Sequence, residues 1–209
     1  MGRNLSPKCK QCRRLGEKLL LKGERCTSAK CAILKRNYAP GIHGPKGKKR
    51  GSDYGAQLAE KQKAKKMYHL MESQFRLTFD KAKNQTGDTG YNFLKLLEMR
   101  LDNTICRLGW ATSHSQARQL VNHGHFTVNG RKVDIPSFNV KTGDIIKIKK
   151  TSVKSKFFRD LTERLKNVNL PSWVNFNAED LSAKVLHEPK KDDMPQHINV
   201  QMIIEFYSK

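Results

Sequence analysis

Four of the chain's five cysteines fall within its first thirty-one residues, spaced Cys9-x2-Cys12-x13-Cys26-x4-Cys31. Two residues between thiols allow a tight turn whose amides point at the sulfurs, which makes half of a tetrahedral metal site. The x4 pair supplies a looser second half, and thirteen residues are enough to fold back. Disulfides compete for the same residues in an oxidising compartment, whereas a reducing one favours metal. Zinc is the leading ion, with an iron–sulfur cluster on the same four ligands as the alternative. All four positions are protein ligands, so the site reads as structural rather than catalytic. A bound ion would supply the folding free energy that so small a segment lacks. The fifth thiol, Cys106 in NTICRLG, reads as a small, partly buried residue on a helix.

Around these thiols the charge is strongly positive. The 209 residues carry 41 Lys and Arg against 19 Asp and Glu, a net charge of +22. Such a balance favours a polyanionic partner, and neutralising nucleic-acid phosphates releases their condensed counterions. Residues 1–67 hold 19 basic and 4 acidic side chains, whereas residues 160–209 hold 6 and 8. Phosphate contacts are therefore expected from the first third, at Arg3, Lys8, Lys10, Arg13, Arg14, Lys22, Arg25, Lys35 and Arg36. The acidic end, with Glu179, Asp180, Asp192 and Asp193, is expected to face the rest of the chain or a basic protein. The start has no apolar signal region, and no run of about eighteen apolar residues occurs. The expectation is a cytoplasmic protein with no membrane partner.

Several elements must position these groups. Residues 38–55, YAPGIHGPKGKKRGSDYG, have too many Gly and Pro for regular structure. A glycine-rich loop can press against a phosphate chain through His43, Lys46, Lys48, Lys49 and Arg50, with Tyr38 and Tyr54 free to stack on bases. A plain solvated linker is the competing reading. Ser52 and Asp53 cap a helix running to about Leu70, on which Gln57, Lys61 and Lys65 recur at i, i+4 as a basic stripe. Charged stripes often face only water. A second helix is expected over about 71–85. Leu94, Leu97, Leu101, Ile105 and Leu108 predict one buried helix that Gly109 stops. Ser113 and Gln116 form a capping box for the next, with Ala117, Leu120 and Val121 inward and Gly124 closing it. HFTVNGRKV is a hairpin turning at Asn129-Gly130, and TGDIIKIKK a third strand. The polar and basic groups of this unit are Ser113, His114, Gln116, Arg118, Asn122, His123, His125, Arg131 and Lys132. The free amides at a helix N-terminus suit phosphate, although capping alone also accounts for Ser113 and Gln116. Farther on, PSWVNFN and SAKVLHEP read as short strands, and NVQMIIEFYSK as a short apolar helix or strand.

RLDNTICRLGWATSHSQARQLVNHGHFTVNGRKVDIP resembles the S-four RNA-binding domain. PKCKQCRRLGEKLLLKGERC, PGIHG, SDYGAQLAEKQKAKKMY and VQMIIEFYSK resemble, in the same order, the bacterial-type S-four family of small-subunit ribosomal proteins. That resemblance implies an α+β fold: a mostly helical domain with an N-terminal four-cysteine metal knuckle, and an inserted S-four domain of two helices and a small antiparallel sheet. The implied divisions are 1–45 for the knuckle, 46–97 for the helical part, 98–160 for the S-four domain, and 161–209 rejoining the first domain. It further implies a non-enzymatic primary binder of small-subunit (16S-type) ribosomal RNA that nucleates subunit assembly. Ribosomal proteins three and five are its implied neighbours. With them it would line the path by which messenger RNA (mRNA) enters, through Lys48, Lys49 and Arg50, and influence decoding accuracy; no small-molecule substrate is implied. The reading from another class is an RNA-modifying enzyme that uses the S-four domain as a handle. A DNA-binding zinc-finger regulator is the third. An enzyme needs converging acid, base or nucleophile groups, and Asp102 and Asp134 are isolated candidates.

Overall fold

A computed structural model describes residues 4–47, 51–159, 161, 165, 170–177 and 180–208. Arg3, Lys48, Lys49, Arg50 and Glu179 lie outside the described residues. The chain divides into two units, 1–93 with 196–209, and 94–195.

The first unit begins with three short helices, α1 (Lys8–Leu15), α2 (Glu24–Thr27) and α3 (Ala32–Lys35). Gly16 ends α1 at φ 85°, the left-handed conformation that glycine adopts without steric cost. Cys12, Leu19, Leu21, Cys31 and Ile33 form a small core, with Leu15 and Met67 against it. In the following loop Gly44 is buried, and only glycine fits there because a Cβ would collide with the Ala39 carbonyl. Ser52 caps α4 (Asp53–Met67) as expected, its Oγ accepting from the Gly55 amide at 3.2 Å. After α5 (Glu72–Lys83) and α6 (Thr89–Glu98), in which the boundary between the units falls, the chain returns as α11 (Val200–Ser208). Phe75, Phe79 and Phe93 pack edge to face, and Tyr207 of α11 lies 4.8 Å from Phe79 between ring centres. Ile203 is fully buried, which stabilises the docked helix by about 1.5–3 kcal/mol.

In the second unit the single helix expected through Leu94–Leu108 is two. Arg100 is extended, at φ −72° and ψ 138°, and bridges Asn139. The amides of Leu101 and Asp102 donate to the carbonyls of Phe138 and Pro136 instead of continuing a helix. Periodicity survived the break because α6 and α7 (Leu101–Arg107) bury the same kind of face. Helix α8 (His114–Asn122) and strands β1 (Phe126–Val128), β2 (Arg131–Lys132) and β3 (Ile145–Ile148) follow as expected. Asn129 and Gly130 both have positive φ, as a type I′ turn requires. Short helices α9 (Lys150–Val153) and α10 (Lys156–Arg159) lead to β4 (Val174–Asn177) and β5 (Ser182–Val185). The sheet is antiparallel throughout, in the order β2-β1-β3-β5-β4. Trp110, Phe126, Ile146, Phe158 and Trp173 fill its core. Of the stretch 161–209, residues up to 195 therefore belong with the sheet, since β5 pairs with β3, and 196–209 cluster with the first unit.

Candidate nucleic-acid interface

Six cations converge at the N-terminal segment. Lys10 and Arg13 on α1, Arg25 on α2, Lys30 in the turn after it, and Lys35 and Arg36 at the end of α3 line a cleft of about 770 Å³. Glu24 is the acid among the lining residues. Short helices joined by tight turns leave their lysines and arginines outside, because the apolar and thiol groups fill the small core. Five of these cations are expected from the sequence; Lys30 is not, though it stands beside Cys31 in the same basic run. A second cleft, of about 540 Å³, is lined in part by Lys10, Arg14, Lys65 and Lys66. Burial, with Lys65 and Arg14 beside it, lowers the affinity of the Lys66 amine for its proton.

Other expected contacts take individual positions. Lys22, His43 and Lys46 are exposed and Lys8 is half-buried. Arg13 stacks over the Tyr38 ring at 4.8 Å and donates to the Tyr38 carbonyl at 3.0 Å. Tyr54 is exposed, its ring tilted 5.6 Å from Phe206.

The basic stripe on α4 is corrected. Gln57 and Lys61 are buried against α11 and α5, not displayed to a ligand. Gln57 donates to Glu205 at 2.9 Å, and Lys61 to Glu72 at 2.7 Å while lying over the Phe206 ring at 4.6 Å. Lys65 also donates to Glu72, at 2.8 Å. The i, i+4 spacing was legible, but the face it lines is the one that packs.

Arg118 is corrected in the same way. It is buried and donates to Asp102 at 3.3 Å, while Arg100 grips the same carboxylate at 3.1 and 3.0 Å. Beside them Glu98, buried, receives Asn103 at 2.7 Å and Arg107 at 3.0 and 2.7 Å. Asn103 Oδ1 stands 2.9 Å from His114 Nε2. Asp102 therefore has a structural partnership and is no lone acid. Burial pushes the Cys106 thiol up to about 11, so it is an inert, mostly buried group. At the start of α8 one arm of the capping box forms: Ser113 Oγ accepts from Gln116 N at 3.4 Å. The Gln116 side chain turns instead to Thr112, accepting from its amide and its hydroxyl at 2.8 Å each. Asn122 is half-buried, His123 exposed, His125 half-buried, and Arg131 and Lys132 exposed.

Among the four cysteines, Cys12, Cys26 and Cys31 are buried and Cys9 is half-buried. The Lys22 amide points at Cys26 Sγ, 3.3 Å away. Burial raises the Cys12 thiol above its ordinary range, the Leu19 amide opposes that, and the other three cysteines add to it. Amide donors therefore stand at two of the sulfurs, Lys22 at Cys26 and Leu19 at Cys12. Among the described residues no three His, Cys, Asp or Glu side chains stand assembled to hold a metal ion.

The acidic end is also tied inward. Asp193 accepts from the Ser172 amide at 3.3 Å and hydroxyl at 2.9 Å, and Asp180 lies 3.6 Å from Lys147, while Asp192 is exposed. Among the described residues no helix is long and apolar enough to cross a membrane.

Two family descriptions match the chain: the ribosomal protein S4/S9 N-terminal domain over residues 3–98, and the S4 domain over residues 99–146. Curated relatives match from end to end. Small ribosomal subunit protein uS4 of Clostridioides difficile is 51% identical over 209 residues, all of both chains. Small ribosomal subunit protein uS4A of Alkaliphilus metalliredigens is 52% identical, and the uS4 of Acetivibrio thermocellus 50%, each over the full length of both.

Proposed function

The chain belongs to the uS4 family of small ribosomal subunit proteins, and from that premise we propose that it is a structural, RNA-binding component of that subunit. It binds small-subunit ribosomal RNA directly and nucleates assembly, without catalysis, in the cytoplasm. The observation that carries this reading is the cleft lined by Lys10, Arg13, Arg25, Lys30, Lys35 and Arg36. Cations this close together repel one another until phosphates enter, so the gain on binding is electrostatic and falls with salt. Filter binding of naked small-subunit ribosomal RNA at several salt concentrations tests it. Log K should fall linearly with log[salt], and Lys35→Gln with Arg36→Gln should reduce the slope by up to about one for each phosphate that is no longer neutralised. A slope unchanged by both substitutions would remove this cleft from the interface.

Finer parts of the reading rest on the family. Lys48, Lys49 and Arg50 line the mRNA path, beside ribosomal proteins three and five. Asp192, exposed and acidic, is suited to a basic neighbour such as protein five. Asp192→Lys should leave RNA affinity unchanged and raise or lower misreading in a translation assay; Asp193 is unsuitable for that test because it holds Ser172. Cys9, Cys12, Cys26 and Cys31 hold one structural zinc ion, with an iron–sulfur cluster as the alternative. What supports this is the burial of Cys12, Cys26 and Cys31 and the Lys22 amide aimed at Cys26. A bound ion would lower the thiols' proton affinity and contribute folding free energy to residues 4–47. Metal analysis and visible absorption of protein purified without air decide between zinc, cluster and neither.

A further inference from the structure

The turn that closes α8 is His123–Gly124–His125, and the Lys132 side chain and the Lys149 backbone reach it from two other elements. Lys132 of β2 lies directly over Gly124, its Nζ 3.1 Å from where a Cβ would stand. Its φ of +69° is the left-handed conformation that favours glycine there. Lys149, between β3 and α9, donates its amide to the His125 carbonyl at 2.8 Å. His125 Nδ1 is 2.9 Å from Ser152 Oγ on α9, and its ring meets Phe158 of α10 edge to face at 5.7 Å. The two imidazole rings are 6.0 Å apart. The acid that touches the group is Asp134, 3.5 Å from Lys132, and both of those side chains are more than half exposed. Such a pair gives way to an incoming phosphate at little cost.

We infer that this corner is a proton-linked contact for one backbone phosphate of RNA, held at Lys132 and gripped more tightly when His123 and His125 are protonated. The inference rests on the reading of the chain as an RNA-binding protein and adds a regulation to it. The partner is a phosphodiester rather than a protein because the corner presents cationic and polar groups, and Phe126 and Phe158 behind it are buried. In the free protein, burial, the charge of His123 and that of Lys149 together push the His125 imidazole below its ordinary value. A phosphate monoanion offsets those cations and favours the charged ring. Binding that raises the proton affinity of a group must take up protons, so affinity rises as pH falls. Each histidine contributes up to about tenfold in affinity for each unit by which binding raises its pKa.

Calorimetric titration with a small-subunit ribosomal RNA fragment, in two buffers of different ionisation enthalpy, measures the proton uptake. It should be positive near about pH 6.5, the unperturbed histidine value. Proton NMR of the free and bound protein should show the His125 titration moving to higher pH. His123→Gln, at an exposed position, should reduce the uptake and flatten the rise in affinity between about pH 8 and 5.5. RNA binding without proton uptake, or uptake unchanged in His123→Gln, would overturn the inference and leave the ribosomal reading standing. Absence of RNA binding at every pH would overturn both.

Discussion

Asp102 has two guanidinium groups on one buried carboxylate: Arg100 bidentate and Arg118 at 3.3 Å, with the Asn103 amide on the same oxygen as Arg100 Nε. All three side chains are nearly out of water, at 7%, 8% and 11% exposed. Removing the acid strands two buried cations, which is far costlier than losing the attraction itself. Asp102→Ala should cost about 3–5 kcal/mol in urea denaturation. A loss below about 1 kcal/mol, the range of an exposed pair, would show that the arginines escape to solvent. At this scale the sequence was least legible. Arg118 reads as a phosphate contact and Asp102 as a lone acid because the pairing links residues sixteen apart, on α7 and α8. Nothing in the local spacing distinguishes an arginine that turns in from one that turns out.

Among the elements, α11 illustrates how a terminal helix is held. Gln57 reaches Glu205, Lys63 donates to the His197 carbonyl at 2.6 Å, Glu60 accepts from the Asn199 amide at 2.8 Å, and Tyr207 donates to Glu72 at 2.8 Å. Burial alone would raise the Glu72 carboxyl, but the hydrogen bonds from Lys61, Lys65 and Tyr207 outweigh it and hold it at about 2, against an ordinary 4.5. A depressed carboxyl stabilises the fold fully above its unfolded value and loses that contribution as pH falls through its folded one. The stability gap between the native chain and Glu72→Gln should therefore be constant above pH 4.5 and close progressively towards about 2. Urea titrations across that range check it; a gap independent of pH would contradict the assignment. Because 45% of the Glu72 side chain is exposed, solvent screens the interaction and the gap is modest. Helix α8, the Asn129-Gly130 hairpin and β3 were readable from local pattern alone. The break at Arg100 was not, since it depends on carbonyls at Pro136 and Phe138 more than thirty residues on. The same holds for β5, which joins the sheet beside β3 across a long gap in sequence.

On the scale of the whole molecule, charge and architecture agree. The cationic clefts lie in the first unit, where 19 of the first 67 residues are basic. The second unit adds its own cations along β2 and β3, at Arg131, Lys132 and Lys147. Composition made the class of partner legible; it did not reveal which lysines are structural, because Lys61 and Lys63 are consumed by intramolecular carboxylates. The corresponding prediction is that substituting Lys61 lowers stability without changing the salt slope of RNA binding, whereas substituting Lys35 and Arg36 does the reverse. Denaturation and salt titration on the same two variants separate the roles. The central claim is that this chain recognises small-subunit ribosomal RNA by itself. Its most direct test is equilibrium binding to that naked RNA, with no other ribosomal protein present and with excess duplex DNA as competitor. Saturable one-to-one binding that survives the DNA and weakens steeply with salt is the predicted result; binding abolished by duplex DNA, or absent altogether, would contradict it.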